Sequence, residues 1–204
     1  MKAVILCDGK PPRLNQLKGQ ISDHILLIAA DGGTRMAQQF DLIPDVIVGD
    51  FDSYRPTGNE EAEVIHDPGQ ESNDLEKALS IALQKGAEDV IVFGATGKRL
   101  DHTLKNLSVL KQFDSKFKSL IFKDTYSDIL LIQSPFRTEL PKGTSVSLFP
   151  LSGKVEGITT KGLLYPLHNE TLQNGVRDGS SNRTVKKEVE IEFKKGDLLL
   201  FINH

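Results

Sequence analysis

A chain of 204 residues, 38% hydrophobic and 26% charged, has room for one generous domain or two small ones and the composition of a water-soluble globular protein. Its net charge of −3 and scattered Lys and Arg argue against a general nucleic-acid binder, and no apolar run approaches the ~20 residues that span a bilayer. A single cysteine, Cys7, excludes an internal disulfide, and the N-terminus lacks the pattern of a secretory signal, so the expected compartment is the cytoplasm and the expected partner a small molecule.

In chain order, β-rich apolar runs at residues 3–7, 24–29, 46–48, 63–65, 90–93 and 119–122 alternate with stretches of helical period. That alternation predicts an α/β domain over residues 1–132, with βα units around a mostly parallel, Rossmann-like sheet. Over residues 74–85, Leu75, Ala78, Leu79, Ala82 and Leu83 make one continuous apolar helical face. Asn73 is placed to cap this helix and Glu76 to close a capping box. A second helix is predicted over 101–112, with Leu104, Leu107, Val109 and Leu110 as its core face. From residue 133 the texture changes to short strands at 145–149, 153–159, 188–193 and 198–202, broken by Pro, Gly, Asn and Ser. An all-β domain over 133–204 follows, small enough to depend on intimate domain contact or a dimer. The polar stretch 174–183 reads as an exposed loop.

Ligands of open parallel sheets bind beyond the carboxyl ends of the strands, and acids follow several of the predicted strands. Gly49-Asp50-Phe51-Asp52-Ser53 places two carboxylates one residue apart. In an extended segment they face one site while Phe51 turns to the core, and two such anions suit a magnesium ion; a solvated, helix-capping turn is the alternative. Asp31-Gly32-Gly33 either lets a backbone approach a phosphate or nucleoside, or makes a tight strand-to-helix turn. Asp74 opens its helix, where the macrodipole favours an acid whatever its function. The richest loop is Gly94-Ala95-Thr96-Gly97-Lys98-Arg99-Leu100-Asp101. It supplies flexible backbone, two cations for phosphate oxygens and an acid at the mouth of a helix, but not the spacing of a Walker A loop. His102 is either a base or a structural hydrogen-bond donor. No zinc spacing and no Gly-x-Ser-x-Gly elbow is present.

Taken in order, these four motifs, with Asn73-Asp74-Leu75-Glu76-Lys77-Ala78-Leu79 as the third, resemble those of thiamine pyrophosphokinases. The C-terminal half continues the likeness in Ser147-Leu148-Phe149-Pro150-Leu151, Gly157-Ile158-Thr159-Thr160-Lys161-Gly162 and Gly179-Ser180-Ser181-Asn182. The resemblance implies diphosphate transfer from ATP to the hydroxyl of thiamine, with AMP released. It also implies an α/β catalytic domain, a β-sandwich thiamine-binding domain and a homodimer with active sites between subunits. Position by position it makes Asp50, Asp52 and Asp74 magnesium ligands, with Asp31 and Asp101 in the same anionic pocket. Gly32, Gly94, Thr96, Gly97, Lys98 and Arg99 would line the ATP site, Arg99 holding phosphates. Gln70 would contact thiamine, Ser181 and Asn182 would do so from the partner subunit, and either Asp74 or Asp101 would take the proton from the hydroxyl. The chain departs from the family pattern at Asn73 and Lys98 and in having no tryptophan. Rival readings are a pyrophosphokinase for another alcohol such as a hydroxymethylpterin, a nucleotide sensor without turnover, and a sugar-nucleotide transferase.

Overall fold

A computed structural model describes residues 1–204, which form two compact units, Met1–Thr125 and Tyr126–His204. In the first, the elements run β1 (Lys2–Leu6), α1 (Leu14–Lys18), β2 (Ile25–Ala30), α2 (Gly33–Gln39), β3 (Val46–Gly49), β4 (Glu63–His66), α3 (Asp74–Gln84), β5 (Asp89–Phe93), α4 (Leu100–Asp114) and β6 (Ser119–Lys123). The strand order is β4-β3-β2-β1-β5-β6, and every pairing within it is parallel. β1, β2, β3 and β5 are buried almost throughout, as strands covered on both faces must be, whereas the edge strand β4 is largely exposed. Val4, Leu6, Leu27, Ile91 and Phe93 share one core cluster with Leu17 of α1 and with Met36 and Ala37 of α2. α3 lies against β1, β2 and β3.

All six predicted strands are present within a residue or two of their expected ends. The capping box on α3 forms as expected: Asn73 Oδ1 accepts from the Glu76 N–H at 3.0 Å, and Glu76 Oε2 accepts from the Asn73 N–H at 2.9 Å. The expected core face of α4 is met at Val109 and Leu110 but not at Leu104. Its buried residues are Asn106, Val109, Leu110 and Phe113, while Leu104 is 57% and Leu100 70% exposed. Asn106 holds a core position because both its amide nitrogen and its amide oxygen find partners there. It donates to the Ala95 carbonyl at 2.8 Å and accepts from the Asn73 side chain at 2.9 Å, and a satisfied amide can be buried where an unsatisfied one cannot.

The second unit contains β7 (Ser127–Ile132), β8 (Phe136–Glu139), β9 (Ser145–Pro150), β10 (Lys154–Lys161), β11 (Glu170–Gln173), β12 (Gly179–Arg183), β13 (Glu188–Glu192) and β14 (Leu198–Asn203). It has strands only, in the orders β7-β14-β9-β12 and β11-β10-β13-β8, all antiparallel. Ile132, Val146, Leu148, Leu198 and Leu200 from the first set meet Val155, Ile158, Leu172, Val189 and Ile191 from the second in one core. The division between units falls after Thr125 rather than after residue 132. Ser127–Ile132 belongs to the second unit because it pairs with β14 along its whole length, from Ser127 with Asn203 to Ile132 with Leu198. The stretch read as an exposed loop, 174–183, ends in strand β12, which pairs with β9 through a register shift between Gly179 and Asn182.

Candidate active site

The first unit's strand order reverses around β1, which has β2 on one side and β5 on the other, and this is where open α/β sheets leave a crevice. Pairing continues past the strands there: Gly9 N–H donates to the Gly94 carbonyl at 2.8 Å and Lys10 N–H to that of Thr96 at 2.7 Å. Above this seam lies a cavity of about 360 Å³ lined by the carboxylates of Asp8, Asp31, Asp52 and Asp74, by Lys98 and Arg99, and by Gly32, Gly94, Thr96, His102 and Asn106.

Asp31 and Asp50, from the segments after β2 and β3, and Asp74, from the first turn of α3, offer carboxylate oxygens that all lie within 4.8 Å of one another. Asp31 is 2% exposed, with a left-handed φ of 40°. Its Oδ2 accepts from the Ser53 N–H at 3.2 Å and its Oδ1 from the Tyr54 N–H at 3.1 Å. Gly49 makes its position possible, since a Cβ there would lie 2.7 Å from that of Asp31. Burial raises the Asp31 carboxyl; the donors from Tyr54 and Ser53 oppose the rise and nearby Asp52 adds to it. Asp74 is pushed up to about 6, by burial first and then by Asp31, with Lys77 opposing and Asp50 and Asp52 adding. Lys77 is itself buried, its Nζ 3.8 Å from Asp74 and donating to the Asp67 carbonyl at 2.7 Å. Three hard oxygen donors held close against their mutual repulsion fit a magnesium-type ion.

This crowding carries a pH signature in metal-free protein. The folded-state pKa of Asp74 lies above the ~3.9 of an unfolded aspartate, so its ionisation penalises the fold fully above about pH 6, and the penalty fades as pH falls toward 4. Asp74→Asn is therefore expected to gain in melting temperature relative to wild type as pH rises from 4 to 6, with no further gain above. Parallel melting curves in chelator across that range would contradict the assignment.

Of the paired acids after β3, only Asp50 enters the three-carboxylate group. Phe51 adopts a left-handed φ of 61° and stacks on His66, rings 5.5 Å apart, so the segment is not extended and Phe51 does not turn to the core. Asp52 lines the cavity instead and accepts from Ser53 Oγ at 2.8 Å. Gln70 reaches the group from outside, Nε2 donating to Asp50 Oδ2 at 3.3 Å. Asp101 stays apart, its carboxylate held by Arg99 through Nε at 3.1 Å and Nη2 at 2.5 Å. This pairing, with the His102 N–H, holds Asp101 down at about 2. The Thr96 hydroxyl donates to Asp124 at 3.2 Å, and Gly97, at φ 93°, packs so closely on Lys10 that a Cβ would come within 2.4 Å.

In the second unit Ser181 is exposed with φ 58°. Asn182 is 8% exposed, and its amide is committed to backbone: Nδ2 donates to the Tyr165 carbonyl at 2.8 Å, and Oδ1 accepts from the Tyr165 and Arg183 N–H groups at 3.1 and 2.8 Å. Its side chain thus shapes the loop at Tyr165, and Ser181 is the member of the pair that presents itself to solvent.

Four residues of this site escaped the sequence reading: Asp8, Arg35, Lys77 and Asn106. Asp8 was within reach of the strand-end rule, since it directly follows the first apolar run; the others carry no signal in spacing. Asp8 Oδ1 is shared by Lys98 Nζ at 3.0 Å and Arg35 Nη2 at 2.9 Å.

A parallel α/β unit with an acid-lined, cation-rimmed cavity at its carboxyl edge, followed by an all-β unit, suits an enzyme that acts on a metal-bound anionic substrate. Comparison with known proteins narrows this. Residues 17–122 match the family model for the thiamin pyrophosphokinase catalytic domain, and residues 132–198 that for the thiamin pyrophosphokinase vitamin B1 binding domain. The chain belongs to the thiamine pyrophosphokinase family. It is 29% identical to a thiamine pyrophosphokinase of Bacillus subtilis over 98% of both chains. With thiamine pyrophosphokinase 1 of Oryza sativa subsp. japonica it shares 32% identity over 72% of this chain and 62% of the relative. The crystal structure of the Bacillus subtilis enzyme superposes with a TM-score of 0.85, covering 100% of this chain and 99% of that one.

Proposed function

We propose that this chain transfers a diphosphate group from ATP to the hydroxyl of thiamine, releasing AMP, in a magnesium-dependent reaction at the cavity beside β1. The observation that carries the reading is the group formed by Asp31, Asp50 and Asp74, whose carboxylate oxygens lie within 4.8 Å of one another, joined to family membership. These three would hold the ion, with Asp52 at the cavity wall completing the acidic set. Bound there, magnesium would neutralise charge on the triphosphate.

The remaining work falls to the chain's own residues. Lys98 and Arg99 line the same cavity and supply cations for phosphate oxygens, Arg99 exchanging Asp101 for the nucleotide. Gly32, Gly94 and Thr96 line the ATP side of the cavity, with Gly97 next to them in the same loop, and Gln70 serves thiamine together with Ser181 and Asn182 contributed by a partner subunit. The hydroxyl oxygen bonds to the β-phosphorus while the bond from that phosphorus to the α–β bridging oxygen breaks. Proton acceptance falls to Asp74, whose carboxylate lines the cavity, rather than to Asp101, whose carboxylate is tied to Arg99.

The reversal of strand order at β1 and β5 supports a Rossmann-like description of the first unit. Exposed Leu100 and Leu104, one turn apart on α4, offer apolar surface that a second copy would cover, which supports a homodimer. No helix is long and apolar enough to cross a membrane, and a lone thiol suits the cytoplasm. Incubation with ATP, magnesium and thiamine is expected to yield AMP and thiamine diphosphate by mass detection. Release of ADP, or AMP formation with a hydroxymethylpterin but not with thiamine, would overturn the proposal.

A further inference from the structure

The peptide joining Ser53 to Tyr54 is gripped at both ends. Its N–H donates to Asp31 Oδ1 at 3.1 Å, and its carbonyl accepts from Arg35 Nη1 at 2.6 Å. The other arm of the same guanidinium, Nη2, rests on Asp8 at 2.9 Å. Arg35 therefore ties the loop after β3 to the end of β1, and the peptide between them passes its orientation on to the most buried carboxylate of the site. Room for this bridge exists because residue 32 is glycine: a Cβ there would lie 2.8 Å from Asp8 Cγ and 2.9 Å from Arg35 Nη2.

We infer that Arg35 is a positioning residue for the reaction: by fixing the Ser53–Tyr54 peptide it orients the Asp31 carboxylate and sets how tightly the three-carboxylate group holds a divalent ion. The inference rests on the reading of Asp31 as a metal ligand. Groups that orient a metal's ligands typically change metal affinity or activity by roughly 10–100-fold when removed. The sign of the effect separates positioning from bulk charge. Deleting a cation close to a divalent ion should tighten binding by Coulomb's law alone; losing the brace on Asp31 should weaken it.

Mn2+ titration of the full chain, followed by electron paramagnetic resonance of the free ion, reads this without turnover. Arg35→Met is expected to weaken Mn2+ binding by about tenfold or more. Arg35→Lys should recover part of the loss, since an ammonium can hold one acceptor but lacks the two-armed fork. Arg35→Gln reads the same loss should the methionine variant fail to fold. Asp31→Asn separates the two levels of the argument. If it binds Mn2+ like wild type, the metal-site reading fails and the Arg35 inference with it. If it loses binding while folded Arg35→Met or Arg35→Gln matches or exceeds wild-type affinity, only the role of Arg35 is overturned.

Discussion

Asp50→Asn is expected to lower turnover at saturating ATP and thiamine by about a thousandfold or more while leaving the melting temperature close to that of wild type. Charge stabilisation by a bound metal is worth several kcal/mol of barrier, and each ~1.4 kcal/mol is a factor of ten in rate. Asp50 is a suitable probe among the three grouped acids because its structural duties are light. It accepts from the Asp52 N–H and the Gln70 side chain at 3.3 Å each, both at the exposed rim, whereas Asp31 is buried and bonded to two backbone N–H groups. An amide keeps the shape and removes the charge. Steady-state rates over a magnesium series, with a melting curve on the same sample, decide the matter: a variant within tenfold of wild type at every magnesium concentration would remove Asp50 from the metal site.

The second large effect concerns folding. In Gly33→Ala the new Cβ would lie 1.9 Å from the Leu6 carbonyl oxygen and 2.6 Å from its carbon. Both atoms belong to the backbone of a central, buried strand, so neither can swing aside as a side chain would. Overpacking commonly costs 1–3 kcal/mol where side chains can adjust; here the cost is expected to be about 3 kcal/mol or more, a large part of the 5–15 kcal/mol that holds a typical domain together. Gly86→Ala is the contrast. That glycine has φ 80° and nothing within 4 Å of its would-be Cβ, so only the left-handed backbone is strained, at about 1–2 kcal/mol. Denaturant titration should rank Gly33→Ala well below Gly86→Ala; equal midpoints would mean that α2 can lift off β1 at little cost.

The parts of this molecule legible in the sequence are those governed by local rules. Buried parallel strands declare themselves as short β-branched runs, and α3 by its apolar period and its Asn73–Glu76 cap. Where tertiary partners decide, the sequence misleads. On α4 a polar residue, Asn106, takes a core slot because Asn73 and Ala95 satisfy it, and of the expected face Val109 and Leu110 are buried while Leu104 is exposed. β12 is an edge strand of Gly, Ser and Asn with a bulge, and such strands keep polar side chains where a central strand would not. The acids follow the same division. That they gather beyond the strand ends was foreseeable from topology, but the choice of Asp31 over Asp52 as the third member depends on a left-handed Phe51, which no spacing reveals. The Arg99–Asp101 pair and the Arg35 bridge were invisible because two side chains choose each other only once the loops are in place.

The strand nearest the end of the chain, β14, lies between β7 and β9 and so at the interior of its sheet. During synthesis β7 emerges from the ribosome some 70 residues before the segment it pairs with, and must wait with an open edge until Leu198–Asn203 follows. The parallel sheet of the first unit draws on nothing beyond residue 123, so it has its full complement of strands far earlier. Translation therefore delivers the parallel α/β unit first, and the all-β unit closes only when residues 198–203 slot into its middle, a late long-range step of the kind that slows folding.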